Sequence, residues 1–324
     1  MVLPGPGLLR TRQHKPKVVC KMSLEQKQYA LNVLTSGLYF GESPRWRDGT
    51  LYISDMLGKK VYAVDAAGSK TVIAEMPNKP NGMGFLPSGD LILSSMHEAR
   101  LYRHTPAGLE LYADLSSIFT GYVGDMVIDQ QGRIYVDDVG ARVFEGEALK
   151  PGRIVIVEPN GEFSVGVEDC NFPNGIVITP DQKTLVFVET FAERLSAVDI
   201  IDGKLVNRRV LLDLTQLFPS EEDRARKRGC IDGISIDAEG GIWLSMLRAE
   251  QFMRINTQGE VTDRIPMPGY ECVASTLGGE DGKTLFLVAT KVDGDNIFEA
   301  MVNLRTETTI FTTRVAVGKG VGRP

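Results

Sequence analysis

A unit of one apolar strand, a tight glycine turn and a second apolar strand recurs six times along this chain, and no other feature limits its fold so strongly. The copies read GESPRWRDGTLYISD from Gly41, NGMGFLPSGDLILSS from Asn81, GDMVIDQQGRIYVDD from Gly124, PNGIVITPDQKTLVFVET from Pro173, DGISIDAEGGIWLSM from Asp232 and ECVASTLGGEDGKTLFLVAT from Glu271. With Glu42, Asn81, Asp125, Asn174, Asp232 and Glu271 as the openings, the spacings are 39, 44, 49, 58 and 39 residues. Intervals of that size are the length of a four-stranded propeller blade. Alternation such as Leu51-Tyr52-Ile53 and Ile242-Trp243-Leu244 reads as strand, and Asp48-Gly49, Ser88-Gly89 and Asp281-Gly282 supply hairpin turns. Stretches such as KKVYAVD, ARLYRH and ERLSAVDI complete the sheets. The predicted fold class is all-β, a six-bladed β-propeller with four-stranded blades, occupying residues 23–324 as one domain. Either the N-terminal strand near Leu31–Leu38 or the C-terminal strand near Thr308–Val315 closes the ring. Residues 214–228 (LTQLFPSEEDRARKR) break the pattern; rich in charge and helix formers, they read as a helical surface insertion that lengthens the fourth interval.

Composition removes several classes of partner. Hydrophobic residues make up 43% of the 324 and charged residues 24%, the balance of a soluble globular chain. No apolar run approaches the roughly 18–20 residues that a membrane span needs. With 36 basic and 42 acidic side chains the net charge is −6, so nucleic acid is not an expected partner. Residues 1–22 hold Arg10, Arg12, Lys15, Lys17 and Lys21 without an acid, include three prolines and lack the h-region of a secretory signal. They read as a disordered extension. Cys20, Cys170, Cys230 and Cys272 form no Cys-x-x-Cys pair, which opposes a disulfide framework or a thiolate zinc site and points to a reducing, cytoplasmic setting. Three scattered histidines offer no imidazole cluster, and no Gly-x-Ser-x-Gly elbow is present.

In a propeller the innermost strand of every blade starts at the same end of the central channel, so the six openings converge there. They form an oxygen-rich ring with no thiolate and no imidazole. Hard divalent cations take such ligands: Ca²⁺ foremost, with Zn²⁺, Mn²⁺ or Mg²⁺ as alternatives. Glu42 and Asp232 would neutralise the charge while Asn174 adds a neutral oxygen. Polar residues at strand starts also cap turns. Six in register argue against capping as the whole account.

GESPRW, PNGIVITPD and IDGISIDAEGGIWLSM resemble the three metal-ligand motifs of the gluconolactonase, regucalcin and luciferin-regenerating enzyme family, over approximately residues 37–315. The resemblance implies a divalent metal held by Glu42, Asn174 and Asp232. GDMVIDQQGRIYVDDVG is similar to the drug-responsive lactonase branch, although many relatives place an amide where this chain has Gly124. The loops after each second strand, MHEAR, DDVGARVFEGEALKPG, TFAER and LRAEQ, are expected to roof the metal face with His97, Asp137, Asp138, Arg142, Glu189, Arg194 and Arg248. His97 is similar to a histidine of gluconolactonase-like sequences. It joins Asn81, Asp138 and Glu271 as an expected substrate contact, whereas His104 reads as structural.

The activity implied is that of a metal-dependent lactonase, a carboxylic ester hydrolase. Asp232 is the expected catalytic carboxylate, and Asp125 or Glu271 could share its task. The expected partner is a small-molecule lactone, with no membrane and the chain a monomer or weak homodimer. Two rivals stay open: phosphoester or phosphofluoridate hydrolysis on the same site, and a calcium-binding propeller without turnover, for which Gly124 is the argument.

Overall fold

Among the described residues, alternating β-branched and aromatic residues joined by tight turns give 24 strands in six antiparallel four-stranded sheets. The structure is a computed structural model that describes residues 27–217 and 230–322. In the first blade Arg47 pairs with Thr50 across Asp48 and Gly49, both at positive φ (48° and 81°), as a two-residue type I′ turn requires. The innermost strands are Gly41–Arg47, Pro80–Phe85, Val123–Ile128, Pro173–Ile178, Cys230–Ile236 and Glu271–Gly278. Five blades run outward from these strands in chain order. The sixth is built from Glu271–Gly278, Thr284–Val292 and Thr306–Arg314, with Asn32–Leu38 as its outer strand. Both candidate closing segments therefore lie in one blade, and the N-terminal strand closes it. The expected extension at 1–22 lies outside the described residues. So does most of the insertion, of which only the helical turn Leu214–Leu217 is described.

The core lies between blades. Val127, Tyr135 and Ile154 of the third meet Ile176, Ile178 and Phe187 of the fourth, all within 1% of full burial. At the axis the blades approach so closely that side chains do not fit. A Cβ on Gly82 would lie 2.6 Å from the Gly124 carbonyl oxygen, and one on Gly175 would lie 2.6 Å from that of Asp232. All six inner pairs also shift register at or next to the opening residue, for instance between Glu42 and Arg45, Asn174 and Ile176, and Ile231 and Ile234. Such bulges re-aim side chains. Here they fall where Glu42, Asn81, Asn174 and Asp232 leave the ladder to line one cavity.

The chain ends add two ties. Lys27 Nζ and Tyr29 Oη both donate to the buried Asp263 of the fifth blade, at 2.7 and 2.5 Å, and the Tyr29 ring packs edge-on against Trp243. At the far end of the channel Ala238 N–H donates to Gly318 O, Lys319 N–H to Gly282 O and Lys319 Nζ to Trp46 O, so the C-terminal segment links blades five, six and one. No helix among the described residues is long and apolar enough to cross a membrane.

Tyr29→Phe keeps the ring but removes a donor from a buried carboxylate. It is expected to lower unfolding free energy by about 1 kcal/mol in urea titration. Unchanged stability would show that Lys27 and Thr262 satisfy Asp263 alone.

Candidate metal centre and active site

Glu42, Asn174 and Asp232, from three different blades, line one cavity of about 150 Å³. Asn174 Nδ2 donates to Asp232 Oδ1 at 2.6 Å, and Asn174 Oδ1 accepts the Gly175 N–H at 3.0 Å. Asp232 is 7% exposed. Burial lifts its carboxyl to about 7, with the Asp125 and Glu271 charges adding and the Asn174 hydrogen bond opposing. Burial and then the charges of Asp232 and Asp125 push Glu42 well above the ordinary carboxylate range. Like charges gathered in a low-dielectric site lack a counter-charge. The buried Arg45 is committed to Asp125 at 2.7 Å.

This donor set fits a hard divalent cation. Two carboxylates and an amide supply oxygen ligands, and the uncompensated charge is of the sign and size that a 2+ ion neutralises. Among the described residues no three His, Cys, Asp or Glu side chains lie at ligand spacing, so the amide is needed to complete three protein donors.

Other expected residues are placed differently. Asn81 lines the cavity, and its carbonyl accepts from Ser54 Oγ at 2.7 Å. Asp125 does not line it. Its Oδ1 takes Ser43 Oγ, Arg45 Nη2 and the Met126 N–H at 2.7–2.8 Å, which ties it to the first blade and to its own backbone. Glu271 is half-buried beside the ring, with Oε2 bound to the Arg248 N–H. Asp138 is fully buried and accepts Thr120, Gly121 and Gly140 N–H groups at 2.8–3.0 Å; it caps its loop and presents nothing to a ligand. Glu189 is also interior. Burial works against its charge, but Arg194, Ser196, Asn171 and Arg208 outweigh that and hold it down to about 2. His97 packs on Tyr122 with ring centroids 4.8 Å apart, Nδ1 3.6 Å from Glu145 and Nε2 buried without a partner among the described residues. Burial, then Lys79, lowers its pKa. It backs the wall and does not face the cavity. Cys170 and Cys272 are buried thiols raised by burial, Cys170 to about 12, which leaves them inert packing.

Gly124 has a structural explanation. A Cβ there would lie 2.0 Å from Asp137 Oδ1, so the Asp137 carboxyl occupies the space an amide side chain would need. Asp137 is fully buried, accepts the Asp125 N–H at 3.0 Å and keeps Oδ1 without a partner among the described residues. Burial, with Asp125 adding, raises it well above the carboxylate range.

Sequence reasoning missed the cavity walls. The loops after the second strands contribute Met56, Met96, Val139 and Phe191, and Leu247 comes from the end of the strand Ile242–Leu247. Ile297, Phe298 and Met301 come from a helix, Ile297–Val302, set between two strands of the sixth blade and capped by Asn296, whose side chain accepts from Phe298 and Glu299 N–H. The Asn296…Glu299 spacing before an apolar run was the readable signal.

Comparison with known proteins agrees with this architecture. The SMP-30/Gluconolactonase/LRE-like region matches residues 40–291. A Xenopus laevis regucalcin is 22% identical over 81% of this chain and 86% of its own. A Pseudomonas putida 6-deoxy-6-sulfogluconolactonase is 21% identical over 86% of this chain and 91% of its own. Among solved structures, a calcium-binding protein, regucalcin, from Agrobacterium tumefaciens superposes with a TM-score of 0.71 at 22% identity, covering 90% of this chain and 97% of that one.

Two outcomes are expected. A carboxyl whose folded pKa is raised from 3.8 to about 7 contributes stability that is complete below the lower value and lost as pH rises through the upper one. Asp232, Glu42, Asp137 and Glu271 act in this direction; the depressed His97 opposes them, while lowered carboxylates such as Glu189 oppose them mainly below about pH 5, where the unfolded carboxyl titrates. Chelated protein should therefore melt lower at about pH 8 than at about pH 5, and Ca²⁺ should flatten the slope; a rising melting temperature would refute the uncompensated charge. Separately, Gly124→Asn should cost about 1–3 kcal/mol through overpacking, and adding Asp137→Gly should recover most of it. Additive losses in the double variant would separate the two positions.

Proposed function

The chain belongs to the SMP-30/gluconolactonase/LRE-like family, and on that premise we propose that it is a metal-dependent lactonase acting at Glu42, Asn174 and Asp232. The observation carrying this reading is the convergence of two carboxylates, both raised by burial, and one amide on the floor of a single cavity. The relative named as a sulfogluconolactonase supports lactone chemistry, and the solved structure named as calcium-binding supports Ca²⁺ as the ion. Glu42, Asn174 and Asp232 would hold the cation, which supplies Lewis-acid polarisation of the lactone carbonyl and acidifies a water.

This chain's own residues divide the remaining work. Asp232 lines the cavity, holds the Asn174 amide through Oδ1 and keeps Oδ2 without a hydrogen bond among the described residues, so Oδ2 can accept a proton from an attacking water. Asn174 fixes the orientation of that carboxylate. Arg45 and Ser43 hold Asp125 beneath the ring, so the floor keeps its geometry while charge moves above it. The apolar walls keep bulk water out, which strengthens every electrostatic interaction at the floor. The capture of Asp125 and Asp138 by local partners favours one rival, a calcium-binding propeller without turnover.

A lactone panel offered to chelated protein resupplied with Ca²⁺, Zn²⁺, Mn²⁺ or Mg²⁺ separates these readings; tight metal binding without hydrolysis leaves the rival. At saturating metal, Asp232→Asn should lower kcat by about 10²–10⁴-fold, and Glu42→Gln should weaken metal affinity in calorimetric titration. A loss of kcat below about tenfold at confirmed occupancy would move the base away from Asp232.

A further inference from the structure

The cavity is built in two tiers of opposite character. Its floor is the polar ring of Glu42, Asn81, Asn174 and Asp232. Above it, the walls are formed by Phe40, Met56, Met96, Phe144, Phe298 and Met301. Four of these six, the methionines and Phe40, are 2–5% exposed, so they are fixed by the packing behind them. Phe144 lies 5.6 Å from Tyr122 and 5.9 Å from Phe298 between ring centroids, which extends one aromatic surface toward the mouth.

Polar atoms within this wall are withheld from the cavity. Thr190 Oγ1 donates to the Ile231 carbonyl at 3.0 Å. The Tyr122 hydroxyl is covered although it finds no partner among the described residues. Charge reappears at the edge, where Lys79 sits 5.2 Å above the Phe144 ring and Arg248 is exposed. A cavity of about 150 Å³, at roughly 10–15 Å³ per water-sized sphere, accepts a body of about ten to fifteen non-hydrogen atoms.

We infer that the substrate accepted here is an apolar-bodied lactone, an alkyl- or aryl-substituted ring, and not a polyhydroxylated sugar lactone. This rests on the lactonase reading above. The carbonyl end of such a molecule meets the polar floor while its hydrocarbon meets Met56, Met96, Phe144 and Met301. Each methylene transferred from water to that wall gains about fourfold in affinity. A ring bearing several hydroxyls would strand them against carbon and sulfur, and each one left unpaired loses roughly tenfold or more.

The test compares δ-decalactone with glucono-δ-lactone, which share ring size and non-hydrogen atom count, together with their non-hydrolysable lactams. Calorimetric titration of the Ca²⁺-loaded protein should show the alkyl lactam binding at least about a hundredfold more tightly than gluconolactam. The alkyl lactone should also have the higher kcat/KM. Phe298→Gln, at a half-exposed wall position that the fold tolerates, should weaken the alkyl lactam several-fold and leave gluconolactam unchanged. Equal or tighter binding of gluconolactam, or no binding of either lactam, overturns the inference. Tight binding of the alkyl lactam without hydrolysis of either lactone under any of the four metals supports the apolar preference and overturns the lactonase reading instead.

Discussion

The approach of six strands to one axis is the constraint on which the rest of this molecule depends. Neighbouring blades come within 2.6 Å of where a Cβ would stand at Gly82 and Gly175, so backbone replaces side chain at the centre. The same convergence brings Glu42, Asn174 and Asp232 to one cavity from three different blades. Bulges that relieve the crowding also aim the opening residues. Packing and site geometry are thus one solution, and a change that loosens the axis would also spread the ring.

Electrostatics makes that arrangement costly. Burying Glu42, Asp137 and Asp232 raises their carboxyls, by desolvation first and then by the charges of neighbouring carboxylates. Arg45 answers one charge by holding Asp125. The remaining excess sits at the cavity floor, where a cation would compensate it. The protein concentrates unfavourable burial at the one place where binding can relieve it.

The blades were legible because a period of about 39–58 residues survives in the chain as repeated strand, turn and opening residue. Register gave six openings, of which Glu42, Asn81, Asn174 and Asp232 line the one cavity; spacing alone does not separate these four from Asp125 and Glu271. The partners of Asp125 and Asp138 were not legible because spacing cannot supply them: Arg45 is 80 residues from Asp125, and the Asp138 carboxyl accepts backbone amides of its own loop. Gly124 looked like a missing ligand, although its explanation lies on the adjacent strand, in Asp137. The cavity walls escaped notice because a Met or Phe following a strand looks like any core residue, and the capped helix Ile297–Val302 is only six residues long.

Closure of the sixth blade has a consequence for how the chain is made. Asn32–Leu38 leaves the ribosome early, yet its partner Thr306–Arg314 lies about 270 residues later. Until that partner emerges, the early strand has no neighbour in its own sheet and the nascent ring stays open. Loop-closure entropy rises only slowly with length, so the union is affordable at equilibrium, but such non-local pairing slows folding. During that wait both unpaired edges can add a strand from another chain. Crowded synthesis would therefore favour end-to-end mispairing between nascent copies, and the late arrival of the C-terminal strand sets how long that hazard lasts.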